Sequence, residues 1–258
     1  MRLLLTLRYI GTRYHGWQVQ PNGVTVQQVV QDAIERVTGV RSALTGCSRT
    51  DAGVHADMFC CAFDTASPLR GGKMAMALNA WLPPDVAVYD CREVADTFHP
   101  RYDAAGKQYV YRIWNDPARN PFWEGRALHL RRPLSIEPMQ RAAADFLGTH
   151  DFSAFCAAGS EVEDRVRTVR ESVVARDGAM VTFTVAADGF LYNMVRIMVG
   201  TLLDIEYGKL SPGCVPEILR QGNRAAAGHT APACGLYLNR VYYSEEASGR
   251  GEQTGSDH

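Results

Sequence analysis

The spacing of apolar positions changes repeatedly along this chain, and each change marks an element. LLLTLRYIG has strand character and runs into a basic and aromatic continuation, TRYHGWQVQPNG. In VTVQQVVQDAIERVTG the apolar residues fall at 26, 29, 30, 33, 34 and 37, one face of a helix, with Gly39 as its stop. MFCCAF predicts a strand, MAMALNAWL a second helix ended by Pro83-Pro84, and VAVYDCREV another strand.

The pattern then begins again. KQYVYRIWND alternates as a strand, and SIEPMQRAAADFLG has helical spacing. RTVRESVVARDGAMVTFTVAADG predicts a hairpin turning at Asp177-Gly178. FLYNMVRIMVGTLLDIEYG predicts a long apolar helix, CVPEILRQG a short one and GLYLNRVYY a closing strand. The order is that of two loosely repeated α+β units meeting near residues 96–106. Beyond Ser244 the chain is acidic with Gly and Ser, and residues 245–258 are expected to be disordered.

Composition narrows the picture. A chain of 258 residues can bury a sizeable core, in one domain or two half-size lobes. No apolar run approaches the roughly 20 residues of a membrane span. MRLLLTLRYIG is too short, and too regularly interrupted by Arg and Thr, for a signal peptide. The expected location is the cytoplasm, with no membrane partner. Cys47, Cys60, Cys61, Cys91, Cys156, Cys214 and Cys234 include no C-x-x-C pair and mostly sit among apolar neighbours. They fit buried thiols rather than a disulfide framework or a zinc site.

A net charge of -1 hides an uneven distribution. Residues 1–50 carry Arg2, Arg8, Arg13, Arg36, Arg41 and Arg49 against Asp32 and Glu35. Residues 97–132 carry Arg101, Lys107, Arg112, Arg119, Arg126, Arg131 and Arg132 against Asp103, Asp116 and Glu124. Two such blocks permit a polyanionic partner, although solvated basic faces explain them as well.

Three places carry candidate chemistry. GCSRTDAGVHA, from Gly46 to Ala56, sets Arg49 beside Asp51 and His55 four residues on, between an apolar helix pattern and an apolar strand pattern. Asp51 either caps backbone N–H groups in a turn or is a held carboxylate paired with Arg49. Arg196 is the only formally charged residue between Phe190 and Leu203. On so apolar a helix it either snorkels to solvent or meets an anion, and Asp51, across a cleft between the halves, is the candidate. In GKQYVYRIWN, Tyr109 and Tyr111 share one strand face and Trp114 takes the other. Core packing explains some of these rings, and one beside a basic block could stack a nucleobase. No phosphate-binding glycine loop, G-x-S-x-G elbow or H-E-x-x-H motif occurs, and the histidines do not cluster at ligand spacing, so neither cofactor nor metal is expected.

These residues resemble a known family, the bacterial tRNA pseudouridine synthase A family, along nearly the whole chain. GCSRTDAGVHA is similar to its active-site motif, RYHGWQVQP to its Y-x-G-W-Q segment, and NAWLPPDVAV to its N-x-x-L-P-x-D stretch. FHPRYDAAGKQYVYRIWN, NMVRIMVG and ACGLYLNRVYY resemble three further family segments. The resemblance implies an isomerase converting uridine to pseudouridine in the anticodon stem-loop of tRNA, at positions 38, 39 and 40, without a cofactor. It implies an α+β fold of two similar lobes, each a mainly antiparallel sheet with helices, joined around a central basic cleft, and a homodimer. The lobes would be residues 1–100, carrying the Asp51 loop, and 101–244. Carried over, Asp51 is the catalytic nucleophile, Tyr109 contacts the uracil, Arg49 and Arg196 are active-site arginines, and His55 joins them in binding substrate. Ser48 departs from the glycine that many members carry before the arginine.

Other readings remain open from sequence: a related synthase acting on other tRNA uridines or another RNA, a tRNA-binding module without catalysis, and a carboxylate-dependent hydrolase. The last would want a second acid beside Asp51, and the loop itself holds none.

Overall fold

Leu3, Leu4, Leu5 and Leu7 have no exposed surface, so the first strand, β1 (Arg2–Tyr9), is covered on both faces. The computed structural model to which it belongs describes residues 1–160 and 162–244; the tail expected to be disordered lies outside the described residues. Among the described residues the chain forms ten strands and five α-helices in an α+β arrangement. None of these helices is long and apolar enough to cross a membrane. Two compact units result: Met1–Ala105 together with the described residues from Arg240 on, and Gly106–Asn239.

In the first unit, α1 (Val26–Thr38) starts where the Thr25 side chain accepts the Gln28 N–H and stops at Gly39, whose φ of 75° is left-handed. It buries Val26, Val30, Ala33 and Ile34, the stripe its spacing predicts. β2 (Thr45–Gly46), β3 (His55–Asp64), α2 (Gly71–Asn79) and β4 (Val86–Val94) follow. Antiparallel pairing gives the order β4-β1-β3, with β2 beside β3. α2 ends before the expected Pro83-Pro84 stop: the Asn79 amide bonds the Val88 backbone on both sides, at 2.7 and 2.8 Å.

The second unit takes most of β5 (Ala104–Asn115), then β6 (Leu128–Leu130), α3 (Ile136–Ala144), β7 (Gly148–Asp151), β8 (Val166–Asp177) and β9 (Met180–Ala187). Its strands lie in the order β5-β9-β8-β7, with β6 parallel to β5. The hairpin turns one residue later than expected. Asp177 pairs with Met180 across Gly178-Ala179, and Gly178 at φ 55° supplies the left-handed first position of a two-residue turn. Next come α4 (Met194–Glu206) and α5 (Val215–Gln221). α4 begins four residues later than FLYNMVR suggests, because Asn193 sits at φ 59°, the only non-glycine residue described with positive φ.

The last strand, β10 (Leu236–Tyr243), starts in the second unit and ends in the first. There the Tyr243 hydroxyl donates to the Pro100 carbonyl at 2.7 Å, and its ring lies 5.3 Å from Phe98. Cysteines 60, 61 and 91 are buried in this unit, and burial pushes their thiols up, Cys91 to about 11.

Asn115 ends β5 with its side-chain valences filled. Nδ2 donates to Leu130 O and Arg132 O at 3.0 and 2.7 Å, while Oδ1 accepts Leu134 N–H at 3.0 Å and Arg176 at 2.9 Å. Asn115→Leu, close in volume, strands all of these partners and is expected to cost at least about 2 kcal/mol. Urea unfolding at unchanged m-value measures it.

Candidate active site

The loop between β2 and β3 carries Asp51, and it is gripped by backbone rather than by side-chain bulk. Trp17 N–H donates to Thr50 O at 3.1 Å, and Gly53 N–H donates to Tyr14 O at 3.2 Å, so the segment 14–17 brackets Asp51 on both sides. Tyr9 and Thr50 share a buried hydroxyl bond of 2.9 Å. Val54 N–H closes a turn onto Asp51 O at 3.2 Å, with Gly53 at φ 79° in the position a type II turn gives to glycine. This grip requires close approach. A methyl on Gly11 would lie far inside contact with the Val54 carbonyl oxygen, and one on Gly16, itself at φ 83°, would strike the Thr50 carbonyl. Beneath, Trp17 stacks on Phe59 at 4.0 Å. The gripping segment is anchored in turn, since Arg13 and Tyr14 both bond the Asp85 carboxylate; burial, then Asp85, pushes the Tyr14 phenol up.

Asp51 itself is half-buried, at the tip of this held turn. Thr50 is buried and Arg49, its neighbour, is exposed. Arg49 makes no ion pair among the described residues, so the expected Arg49–Asp51 pair does not form here: the buried Thr50 turns the preceding side chain out to solvent. His55 has no exposed surface, and its Nδ1 accepts the Gly11 N–H at 2.9 Å. It therefore ties β3 to the same glycine that the Val54 carbonyl packs against.

In the second unit, Tyr109 and Tyr111 are buried on one face of β5, while Trp114, on the other, is half-buried. Tyr109 is 7% exposed and packs edge-on against Phe190, with centroids 4.9 Å apart. Tyr111 donates to Pro232 O at 2.8 Å. Arg196, on α4, does not simply snorkel: Nε donates to Ala231 O at 2.7 Å, and a terminal nitrogen donates to Asn193 Oδ1 at 2.7 Å. Asn193 adopts its uncommon backbone conformation where its side chain meets this guanidinium. The segment 228–232, which receives both Arg196 and Tyr111, went unremarked in the sequence, where HTAPACG shows no periodicity. No group of three or more His, Cys, Asp or Glu suited to a metal occurs among the described residues.

The two basic blocks differ. In the first, Arg2, Arg8, Arg13 and Arg41 are spent on Asp64, Asp57, Asp85 and the Asp32/Glu35 pair, and Arg36 lies over Trp81. In the second, Arg101, Arg119 and Arg131 are exposed and make no ion pair among the described residues. Arg112 is instead caught between the rings of Trp123 and Tyr237.

The glycine contacts generate a graded prediction. Gly11→Ala and Gly16→Ala each force the loop off its neighbour and are expected to lose more than about 2 kcal/mol. Gly39→Ala, at a φ close to that of Gly16 but with nothing within 4 Å, is expected to cost only about 1 kcal/mol. Denaturant melts of the three variants check the order.

The family model described as tRNA pseudouridine synthase matches residues 6–103 and 142–244. tRNA pseudouridine synthase A of Acetivibrio thermocellus is 46% identical over 239 residues, covering 93% of this chain and 98% of that protein. The protein of the same name from Ruminiclostridium cellulolyticum is 44% identical over 243 residues, covering 94% and 99%. Among solved structures, a Cbf5-Nop10-Gar1 complex superposes at TM-score 0.38 with 14% identity, over 93% of this chain and 50% of that one, too loosely to add to the argument. The extent and identity of the sequence matches establish that this chain belongs to the tRNA pseudouridine synthase family, isomerases that act on tRNA.

Proposed function

We propose that the chain converts uridine to pseudouridine at positions 38, 39 and 40 of the tRNA anticodon stem-loop, in the cytoplasm and as a homodimer, with Asp51 as the catalytic carboxylate. The observation that carries this reading is the held turn: a half-buried carboxylate fixed by backbone bonds on both sides, on a loop that a single added methyl would displace. Preorganisation of this kind suits a group that must meet an extruded base at a set distance.

The reaction breaks N1–C1′, turns the uracil and joins C5 to C1′; the proton lost from C5 is balanced by one gained at N1. Nothing enters or leaves. A carboxylate serves as nucleophile or stabilises positive charge at C1′. Arg196 and Arg49 are assigned to the site as cations for the substrate's polar edge and phosphates. Tyr109, held edge-on by Phe190, is assigned to the uracil, by stacking or by accepting the C5 proton. His55, fully buried, acts in this proposal through the loop rather than by direct contact. The exposed arginines of 97–132 supply phosphate contacts that fix register while one base is extruded.

Asp51→Asn is expected to keep its melting temperature and tRNA affinity while turnover falls by many orders of magnitude. Asparagine serves as well as aspartate in a turn, so near-wild-type turnover would reduce Asp51 to a turn-former. Mapping pseudouridine in tRNA from cells with and without the protein tests the site assignment: loss elsewhere than 38–40 would favour the related synthase acting on other uridines.

Salt dependence separates the two basic blocks. The slope of log Kobs against log salt is expected to shrink by about 1 for each of Arg119→Ala and Arg131→Ala, and to be unchanged in Arg41→Ala, whose guanidinium is already paired. Equal slopes in all the proteins would remove the second block from the interface.

A further inference from the structure

One face of α4 is built to receive the segment 228–232 along its length. Gly200 leaves room for the His229 carbonyl, which would collide with any Cβ there. Thr201 Oγ1, fully buried, donates to Ile197 O at 2.8 Å and accepts Gly228 N–H at 2.9 Å. Asp204, 7% exposed, accepts His229 N–H at 3.1 Å and bonds His229 Nδ1 at 3.0 Å through one oxygen, and accepts Lys209 Nζ at 3.1 Å through the other. At the helix start, Ala231 N–H donates to Arg196 O at 3.0 Å and Ala231 O accepts Arg196 Nε at 2.7 Å. Residues 196, 200, 201 and 204 fall at i, i+4, i+5 and i+8, so they share a face. The segment is thus pinned at Asp204, at Thr201 and at Arg196, and between the pins it is only a few residues long.

We propose that Asp204 is a positioning residue: it holds His229, and through the short segment that follows it sets the Ala231 and Pro232 carbonyls that orient Arg196 and Tyr111. This rests on the reading of Arg196 as an active-site group. A buried carboxylate is costly to keep unless its oxygens are fully used, and here two donors from His229 and one from Lys209 use them. Burial alone would raise its pKa, but the His229 ring and amide and Lys209 outweigh that and hold it below the ordinary value. With the carboxylate ionised, His229 Nδ1 carries the proton and donates. Asn at 204 offers one acceptor oxygen where three donors converge, so the segment must shift. A shift well under a helical turn moves the Ala231 carbonyl and with it the guanidinium plane.

The test compares Asp204→Asn, His229→Ala, His229→Asn and Arg196→Leu in steady-state turnover of tRNA, assayed well below each melting temperature. Asp204→Asn and His229→Ala are expected to lower kcat about tenfold or more while KM stays within about twofold, because a misplacement near 1 Å costs on that scale. His229→Asn, whose Nδ2 replaces the Nδ1 donor, is expected to restore kcat to within about threefold of wild type. A merely structural pair would lower the melting temperature and leave kcat alone, and that result overturns the proposal. If Asp204→Asn fails to fold, the two His229 variants decide: loss in Ala without rescue in Asn also overturns it. Arg196→Leu with wild-type turnover refutes the underlying reading of Arg196. Inactive Arg196→Leu beside a fully active Asp204→Asn refutes the positioning role alone.

Discussion

The Asp51 turn depends on backbone packing against backbone. At Gly11 and Gly16 two segments distant in sequence approach until no side chain fits between them, and Trp17, Tyr14 and Gly11 then spend their main-chain groups on the loop or on His55. Contacts of this type are stiff. A side-chain clamp can change rotamer, whereas a main-chain bond moves only with its whole segment, and this segment is moored to Asp85 and to the aromatic stack below. The polar cost of the approach is reduced because the N–H groups of Gly11, Trp17, Gly53 and Val54 each find a carbonyl or a ring nitrogen.

A second constraint operates on α4, where one guanidinium sits among apolar residues in the first turns of the helix. A carbonyl and an amide oxygen receive it, and the amide belongs to Asn193, whose left-handed backbone also marks where the helix begins. Hydrogen bonds from a charged donor are the stronger kind, and these two fix the plane of the guanidinium. A guanidinium oriented in this way suits the active-site role proposed for it.

Much of this was legible in the sequence where it depends on neighbours along the chain. The α1 stripe and the β5 alternation that sorts Tyr109 and Tyr111 from Trp114 follow from local spacing, and the motif around Asp51 is a contiguous run recognised by family resemblance. The strands β6 and β7 were not foreseen, because three and four residues carry too little periodicity to register. The grip on the Asp51 loop was also hidden: TRYHGWQ attracts notice for its rings and bases, but the glycines matter for what they touch some 35 to 45 residues away. Charge counts misled in one respect. The first basic block is largely consumed by ion pairs with acids that are near in space and remote in sequence, such as Arg2 with Asp64.

The closing strand has a bearing on how the molecule is made. Arg240 onward belongs to the first unit, and Tyr243 fixes Pro100 and packs beside Phe98 there. Synthesis proceeds from the N-terminus at roughly 5–20 residues per second. The unit that carries Asp51 therefore emerges early but waits many seconds for its last strand, through translation of the whole second unit. During that interval the surface later covered by Tyr243 stands open, and the nascent chain is most exposed to chaperone capture and to misassembly with other chains.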